Sequence, residues 1–416
     1  MNSGHDANLG RISARASIGV AFSIGVFAVT LCVASRAHSR AAKQVAGSLV
    51  AHEWGTFTSI AAPDGSSQLW RPFPDKSDLP SFVERLGFAS FKGGLVATVR
   101  METPVIYFYS PEETSVSVSV SFSKGCLTEW YPHATEVRPA DTSELFIKGA
   151  DFAPSLLRWQ QITVSPNPTA VFPRESKPSH YYAARDTAAN AVSVPANEED
   201  EKQVEKFLFY RGVTSFQAPL SAKVLTGNKI RIESRASAPV PVLVLFERRG
   251  SWLGYRVLPS LRDATTVDTP STSGTFDSLR IDLETILVAQ GLFPDEAHAM
   301  LETWRESWFQ EGSRLFYIVP RSFVDAALPL SIQPAPAHLE RVFVGRIELV
   351  TSATQESLEA ALASKDYARL QKYGRFLGPF LELLMTKTSG TERGRCLEAE
   401  ANAYYTSLYA TSSGQR

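Results

Sequence analysis

"TSVSVSVSF", Thr114 to Phe122, sets Val116, Val118, Val120 and Phe122 at every second position with Ser and Thr between them. Side chains alternate across a strand, so this period predicts a strand with one dry face and one wet face. "PVIYFYSPEE" (104–113) directly precedes it, an apolar β-rich run broken by a Ser-Pro turn signal. The two are expected to pair as an antiparallel hairpin. Outward from there, "LLRWQQITV" (156–164) and "VEKFLFYRGV" (204–213) read as strands. "SAKVLTGNKIRIES" (221–234) and "PVLVLFERRGSWLGYRVL" (241–258) read as hairpins about Gly-Asn and Arg-Gly-Ser turns. Short strands repeated at this spacing predict an antiparallel β-sandwich-like body over 51–260. The Pro-rich stretch 165–179 and the acidic stretch 194–203 read as surface loops.

The pattern changes near residue 261. "RDATTVDTPSTSGT" reads as a linker, and "FDSLRIDLETILVAQG" (276–291) has helical spacing with Gly291 where a C-cap glycine belongs. In the next helix Pro294 suits the first turn and Asp295 and Glu296 suit the positive N-terminus. Ala297, Met300, Leu301, Trp304 and Trp308 then form an apolar stripe, read as core, with Glu302, Arg305 and Glu306 facing solvent and Gly312 expected to end the helix. "RLFYIVP" and "RVFVGRIELV" add two strands, so 261–350 mixes helix and strand. The tail, 351–416, reads as helical with breaks at Gly374, Pro379 and Ser389-Gly390. The fold class expected is α+β: a sandwich-like body, a mixed segment and a helical tail.

Residues 1–50 are a leader. The uncharged run 16–35 would take a helix across a ~30 Å hydrocarbon core. Small residues at Val33-Ala34-Ser35 and Ser35-Arg36-Ala37 also suit a signal peptidase, so a retained anchor and a cleaved signal both fit. The body is expected outside the cytoplasm, in the periplasm or cell envelope, because long domains translocate largely regardless of flanking charge. A net charge of −1 supplies no field that would draw nucleic acid. After the leader only Cys126 and Cys396 remain, compatible with one disulfide or two free thiols.

"HEWGTFTS" (52–59), "RMETPVIYFYS" (100–110), "TEWYP" (128–132), "HYYAARDT" (180–187), "KFLFYRG" (206–212), "ETWRESWFQEGSRLFYIVPR" (302–321) and "VFVGRIEL" (342–349) together resemble a family of uncharacterised exported bacterial proteins. The similarity covers nearly everything after the leader. It implies that 51–350 is one architectural unit and assigns no reaction, ligand or partner.

Three polar stretches are the candidate sites. His52 and Glu53 cannot hold a metal as a local pair, since neighbours on a strand face opposite sides and no H-E-x-x-H is present. A zinc hydrolase would have to gather His52, His133 and His180 with Glu53 or Glu129. The competing reading puts His52 and Trp54 together on one face at a domain edge. In "TEWYPH", an extended backbone sets Glu129 and His133 ~13 Å apart, too far to share an ion without help from elsewhere. "SHYYAARD" puts His180 and Tyr182 on one face if extended, with Arg185 and Asp186 close behind. Rings, a guanidinium and a carboxylate suit a polar ligand such as a glycan, and the same residues also suit a surface loop with a local ion pair. There is no nucleophile elbow, Walker loop or dinucleotide fingerprint. The expectation is therefore an exported or membrane-anchored envelope protein with a binding or structural role. Its partners are the membrane through 16–35 and a polysaccharide or envelope protein, with no cofactor and no nucleic acid. The alternatives are the metal-dependent hydrolase and a glycan-binding module.

Overall fold

In the computed structural model Thr114–Phe122 is a strand, with Val116, Val118, Val120 and Phe122 buried and the serines between them half-buried. The structure describes residues 1, 48–70, 78–86, 96–140, 153–166, 169–195 and 202–413. The run 16–35, expected from sequence to cross a membrane, lies outside them. Among the described residues no helix is long and apolar enough to cross a membrane.

The expected hairpin does not form. Val99–Tyr109 enters a nine-stranded sheet, while Thr114–Phe122 enters a six-stranded one, where it pairs with Ser155–Ser165 and Leu330–Gln333. The Ser-Pro-Glu-Glu turn reverses the chain but carries it from one sheet to the other.

The nine-stranded sheet runs in the order Trp252–Leu258, Leu243–Arg249, Gly312–Ile318, His338–Leu349, Val50–Ile60, Val99–Tyr109, Leu208–Thr214, Gly125–Tyr131 and Glu84–Arg85. Val50–Ile60 lies parallel to His338–Leu349 and antiparallel to Val99–Tyr109, and every residue of it is buried. Two strands of the 261–350 segment thus sit inside the body sheet, and Gly47–Arg416 forms one unit. Both hairpins of the 221–258 region form, the first joined by Ala264–Asp268 into a three-stranded sheet. The architecture is α+β, with antiparallel pairing dominant and a β-sandwich-like core.

That core lies between the sheets. Ala51, Phe57, Ile106, Phe108, Phe343 and Ile347 of the large sheet join Val116, Val118, Val120 and Trp159 of the six-stranded one in a single apolar cluster. Phe57 and Phe343 stack with centroids 5.1 Å apart.

Helices lie against other faces. Phe276–Ala289 opens with a Thr275–Ser278 capping box, and Gly291 adopts the positive φ expected of its terminal glycine. Pro294–Trp308 carries the anticipated stripe, all of it buried, and Trp308 packs on Phe316 at 5.0 Å. This helix ends at Trp308, and Gly312 instead opens the next strand. In the tail, Ser352–Ala363, Tyr367–Gln371, Leu377–Thr388 and Glu392–Ser413 are helices. Pro379 breaks none of them. It occupies the first turn of Leu377–Thr388, where no N–H is needed. Cys126 is buried and Cys396 exposed, both as free thiols.

Candidate functional site

"RMETPV" and "VGRIEL" alternate charged and apolar residues, the sequence of a strand with one wet face. Their apolar members, Met101, Ile347 and Leu349, join the inter-sheet core. Arg100, Glu102, Arg346 and Glu348 must then project to the other side, yet all four are buried. Thr58 pairs in register with Arg346 on one side and Arg100 on the other, Arg314 with Glu348, and Arg211 with Glu129. The result is a band of charge crossing the nine-stranded sheet.

At its inner end Glu348 takes Arg346 Nε at 2.5 Å and Arg314 Nε at 3.1 Å, and Arg346 Nη1 donates to Ser307 Oγ at 3.0 Å. Phe376 lies under both Arg346 and Arg375, at 4.7 and 4.9 Å from its ring centroid. Glu102 pairs with Arg375 and, at 3.6 Å, with Arg100. At the outer end Asp78 takes Arg211 Nη1 at 2.9 Å and Arg211 Nη2 at 3.2 Å, with Arg100 Nη2 at 3.8 Å. His180 Nε2 lies 3.2 Å from Asp78 Oδ2 and 3.3 Å from Arg211 Nη2, and its ring packs on Trp304 at 5.2 Å.

Among the described residues five guanidiniums therefore share three carboxylates, each carboxylate serving two of them. Glu129 acts on Arg211 electrostatically without forming an ion pair with it among those of the described residues. Burial, then the repulsion of Arg211 and Arg375, pushes the Arg100 guanidinium down to about 10. Burial opposes ionisation of Asp78, but Arg211, His180 and Arg100 outweigh it and hold the carboxyl far below its usual range. Burial lowers the affinity of His180 for a second proton, against the pull of Asp78. Arg211 Nε, Arg346 Nη2, Arg375 Nε, His180 Nδ1 and Thr58 Oγ1 are buried and make no hydrogen bond among the described residues.

The residues singled out from sequence are dispersed. His180–Arg185 is a short 3-10 helix, not an extended segment, because Ser179 accepts the Tyr181 N–H and caps it. His180 turns into the band. Arg185 turns away, donating to Glu205 from Nε at 2.9 Å and Nη2 at 2.6 Å, and so pairs with Glu205 rather than with its neighbour Asp186. Tyr182 packs on Arg185 at 4.9 Å, and its hydroxyl accepts the Glu175 N–H at 3.0 Å. Asp186 closes the 3-10 turn through its backbone.

Each histidine of the metal reading has a different carboxylate. His52 Nδ1 is 2.8 Å from Glu296, His133 Nδ1 is 2.9 Å from Glu84, and His180 meets Asp78. Glu53 points to the opposite face from His52, toward Arg341 and Tyr210, and Glu129 accepts from Thr128. Among the described residues no three His, Cys, Asp or Glu side chains are grouped to hold a metal ion. Sequence reasoning missed Asp78, Arg100, Glu102, Arg211, Arg346, Glu348 and Arg375. The available signal was charge at period two within strands whose other face is apolar.

No protein-family model matches this chain, and no curated protein does. Among solved structures, the Fcho1 Mu homology domain from Danio rerio with bound Eps15 peptide is similar over 74% of this chain and 98% of that one, at 9% identity and a TM-score of 0.27. A similarity of that strength carries no functional statement.

Proposed function

We propose that the protein is exported to the cell envelope by its 16–35 segment and acts there by binding a polar ligand where the charged band reaches the surface, at Asp78 and His180. One observation supports the binding reading. The band buries many ionic side chains, and its outer end is open, with the Asp78 side chain 36% exposed and that of His180 24% exposed. Buried ion pairs are often replaceable by apolar residues without loss of stability, so stability alone accounts poorly for a band of this extent. Binding sites join apolar walls to a few convergent polar groups, and here Trp304 and Phe209 flank His180 and Arg211. A glycan site on Tyr182 and Arg185 has less support, because Arg185 is committed to Glu205. The zinc hydrolase has less still, because its histidines serve three different carboxylates.

Two measurements test the proposal. A phosphatase reporter that works only outside the cytoplasm, fused after Gly47, should be active; an inactive fusion overturns the localisation. The purified protein should melt higher with at least one of neutral saccharides, uronic acids, phosphate esters or peptides. That shift should vanish in Arg211→Gln if the variant keeps the wild-type circular dichroism. A panel without any shift, or a shift indifferent to Arg211, sinks the binding site.

A further inference from the structure

We propose that the ligand group recognised at this site is an oxyanion, a carboxylate or phosphate, that binds the Arg211 and Arg100 guanidiniums in place of the Asp78 carboxylate. The inference rests on the binding reading above and names its chemistry. Three features of the outer end carry it.

The first is charge. Among the described residues five guanidiniums face three ion-paired carboxylates and the nearby Glu129, so the band still holds one more cation than anion. Buried charges are normally paired, so an added anion is favoured where an added cation or neutral group is not.

The second is geometry. Arg211 presents its two Nη groups side by side to the two oxygens of Asp78, the fork arrangement that fits carboxylate and phosphate alike. Asp78 Oδ2 is also approached by His180 Nε2 at 3.2 Å and Arg100 Nη2 at 3.8 Å. Three nitrogens thus converge on one oxygen position, Arg211 Nη2 as a hydrogen-bond donor and Arg100 Nη2 as a more distant ionic partner. Arg211 Nε and Arg375 Nε, both buried in this neighbourhood, make no hydrogen bond among the described residues. A free carboxylate can take a position that the tethered side chain cannot, and a phosphate also brings more oxygens than Asp78, so either can engage donors that the side chain leaves unused.

The third is mobility by construction. Arg211 and Arg100 stand on interior strands with side chains 0% and 1% exposed, whereas Asp78 lies outside the strands and helices and is 36% exposed. Of the ion-paired groups at this end, Asp78 is the one that can leave without moving the sheet. It then acts as an internal competitor, resident when no ligand is bound.

The test is titration calorimetry of acetate, inorganic phosphate and glucuronate, with glucose as the neutral control, against the full body 47–416 carrying its native sequence or Asp78→Ala. Removing a tethered competitor, whose effective concentration is of millimolar order, should tighten oxyanion binding by about tenfold or more. Arg211→Gln should abolish it. If that variant does not fold, Arg375→Gln, whose side chain is 18% exposed and pairs with Glu102, should weaken binding severalfold. Preference for acetate and glucuronate over phosphate identifies a carboxylate ligand, and the reverse identifies a phosphate. Oxyanions that bind neither protein overturn the inference. So does binding that is equally tight in Asp78→Ala and wild type, since Asp78 is then no competitor. If oxyanions fail while a neutral saccharide or peptide still binds through Arg211, this inference falls and the binding reading stands.

Discussion

Arg211 grips Asp78 at two points, Nη1 to Oδ1 at 2.9 Å and Nη2 to Oδ2 at 3.2 Å, and only the aspartate of the pair reaches solvent. The two residues lie 133 positions apart. Nothing local announces the contact, yet it closes the outer end of a charged band that runs under the helical face of the sheet. Because one member is exposed and the other is not, the pair couples the interior of the sheet to the pH and ionic content outside.

The first prediction concerns acid. Asp78 ionises far more readily when folded than the ~3.9 of a free aspartate, since Arg211, His180 and Arg100 together outweigh its burial. A carboxyl depressed in this way contributes stability above its unfolded pKa and loses it as pH falls toward the folded value. Wild-type melting temperature should therefore drop between about pH 5 and 3, and Asp78→Asn should drop less across the same window. Parallel pH curves for the two proteins would assign the acid sensitivity elsewhere.

A second buried pair lies on the other face. Arg341 Nε donates to Glu53 at 2.5 Å, Tyr210 donates to the other oxygen of Glu53, and Arg341 Nη1 reaches Asp325 at 2.9 Å. Glu53→Leu leaves Arg341 Nε and the Tyr210 hydroxyl without their buried acceptor, with only the exposed Asp325 against the Arg341 charge, and should cost about 3–5 kcal/mol in urea unfolding. Adding Arg341→Met should recover most of that loss, because no charge then remains unpaired. A double variant as unstable as the single one would mean that packing, not charge, sets the cost.

Glu296 is the third case. Its carboxylate accepts the Tyr109 hydroxyl at 2.8 Å and the Phe293 N–H at 2.7 Å, with His52 Nδ1 at 2.8 Å. His52 is itself held between Phe293 and Tyr109, at centroid distances of 4.3 and 5.7 Å. His52→Ala should cost about 1–3 kcal/mol, since it removes one contact to a buried carboxylate and a ring packed on Phe293, rather than the small loss expected at a domain edge. A double-mutant cycle with Glu296→Ala should return a coupling of about 0.5–3 kcal/mol. Strict additivity would show that the contact contributes nothing.

How much of this was legible in the sequence follows from which faces are wet. "TSVSVSVSF" announced itself because its serines remain half-exposed, so composition and geometry share one period. Val50–Ile60 and Val99–Tyr109 are buried on both faces, which removes that contrast. Arg100, Glu102, Arg346 and Glu348 kept the alternation, but the face that looks wet in sequence lies under Phe376, Ser307 and their neighbours. The turn at 110–113 was legible as a turn, while the sheet it leads to depends on partners far along the chain. The segment from His180 reads as extended in sequence, whereas a serine cap, not the aromatic run, decides the local backbone.

The strand Thr114–Phe122 carries the last prediction. Val118 is 1% exposed and stands in register with Trp159 on one neighbour and Ile332 on the other. An aspartate there would put an unpaired charge into the apolar cluster between the sheets, where no cation is within its row. Val118→Asp should therefore cost at least about 4 kcal/mol and leave little folded protein at physiological temperature. Ser117 points the other way, its Oγ accepting the Gln161 N–H at 3.1 Å at the surface. Ser117→Asp keeps an acceptor at that place and leaves its charge in water, so it should change stability by no more than about 0.5 kcal/mol. Thermal melts of the two variants side by side measure the difference directly. Because a slip of one residue exchanges the two faces of a strand, equal melting temperatures, or the opposite order, would require a different register for 114–122 against both of its neighbours.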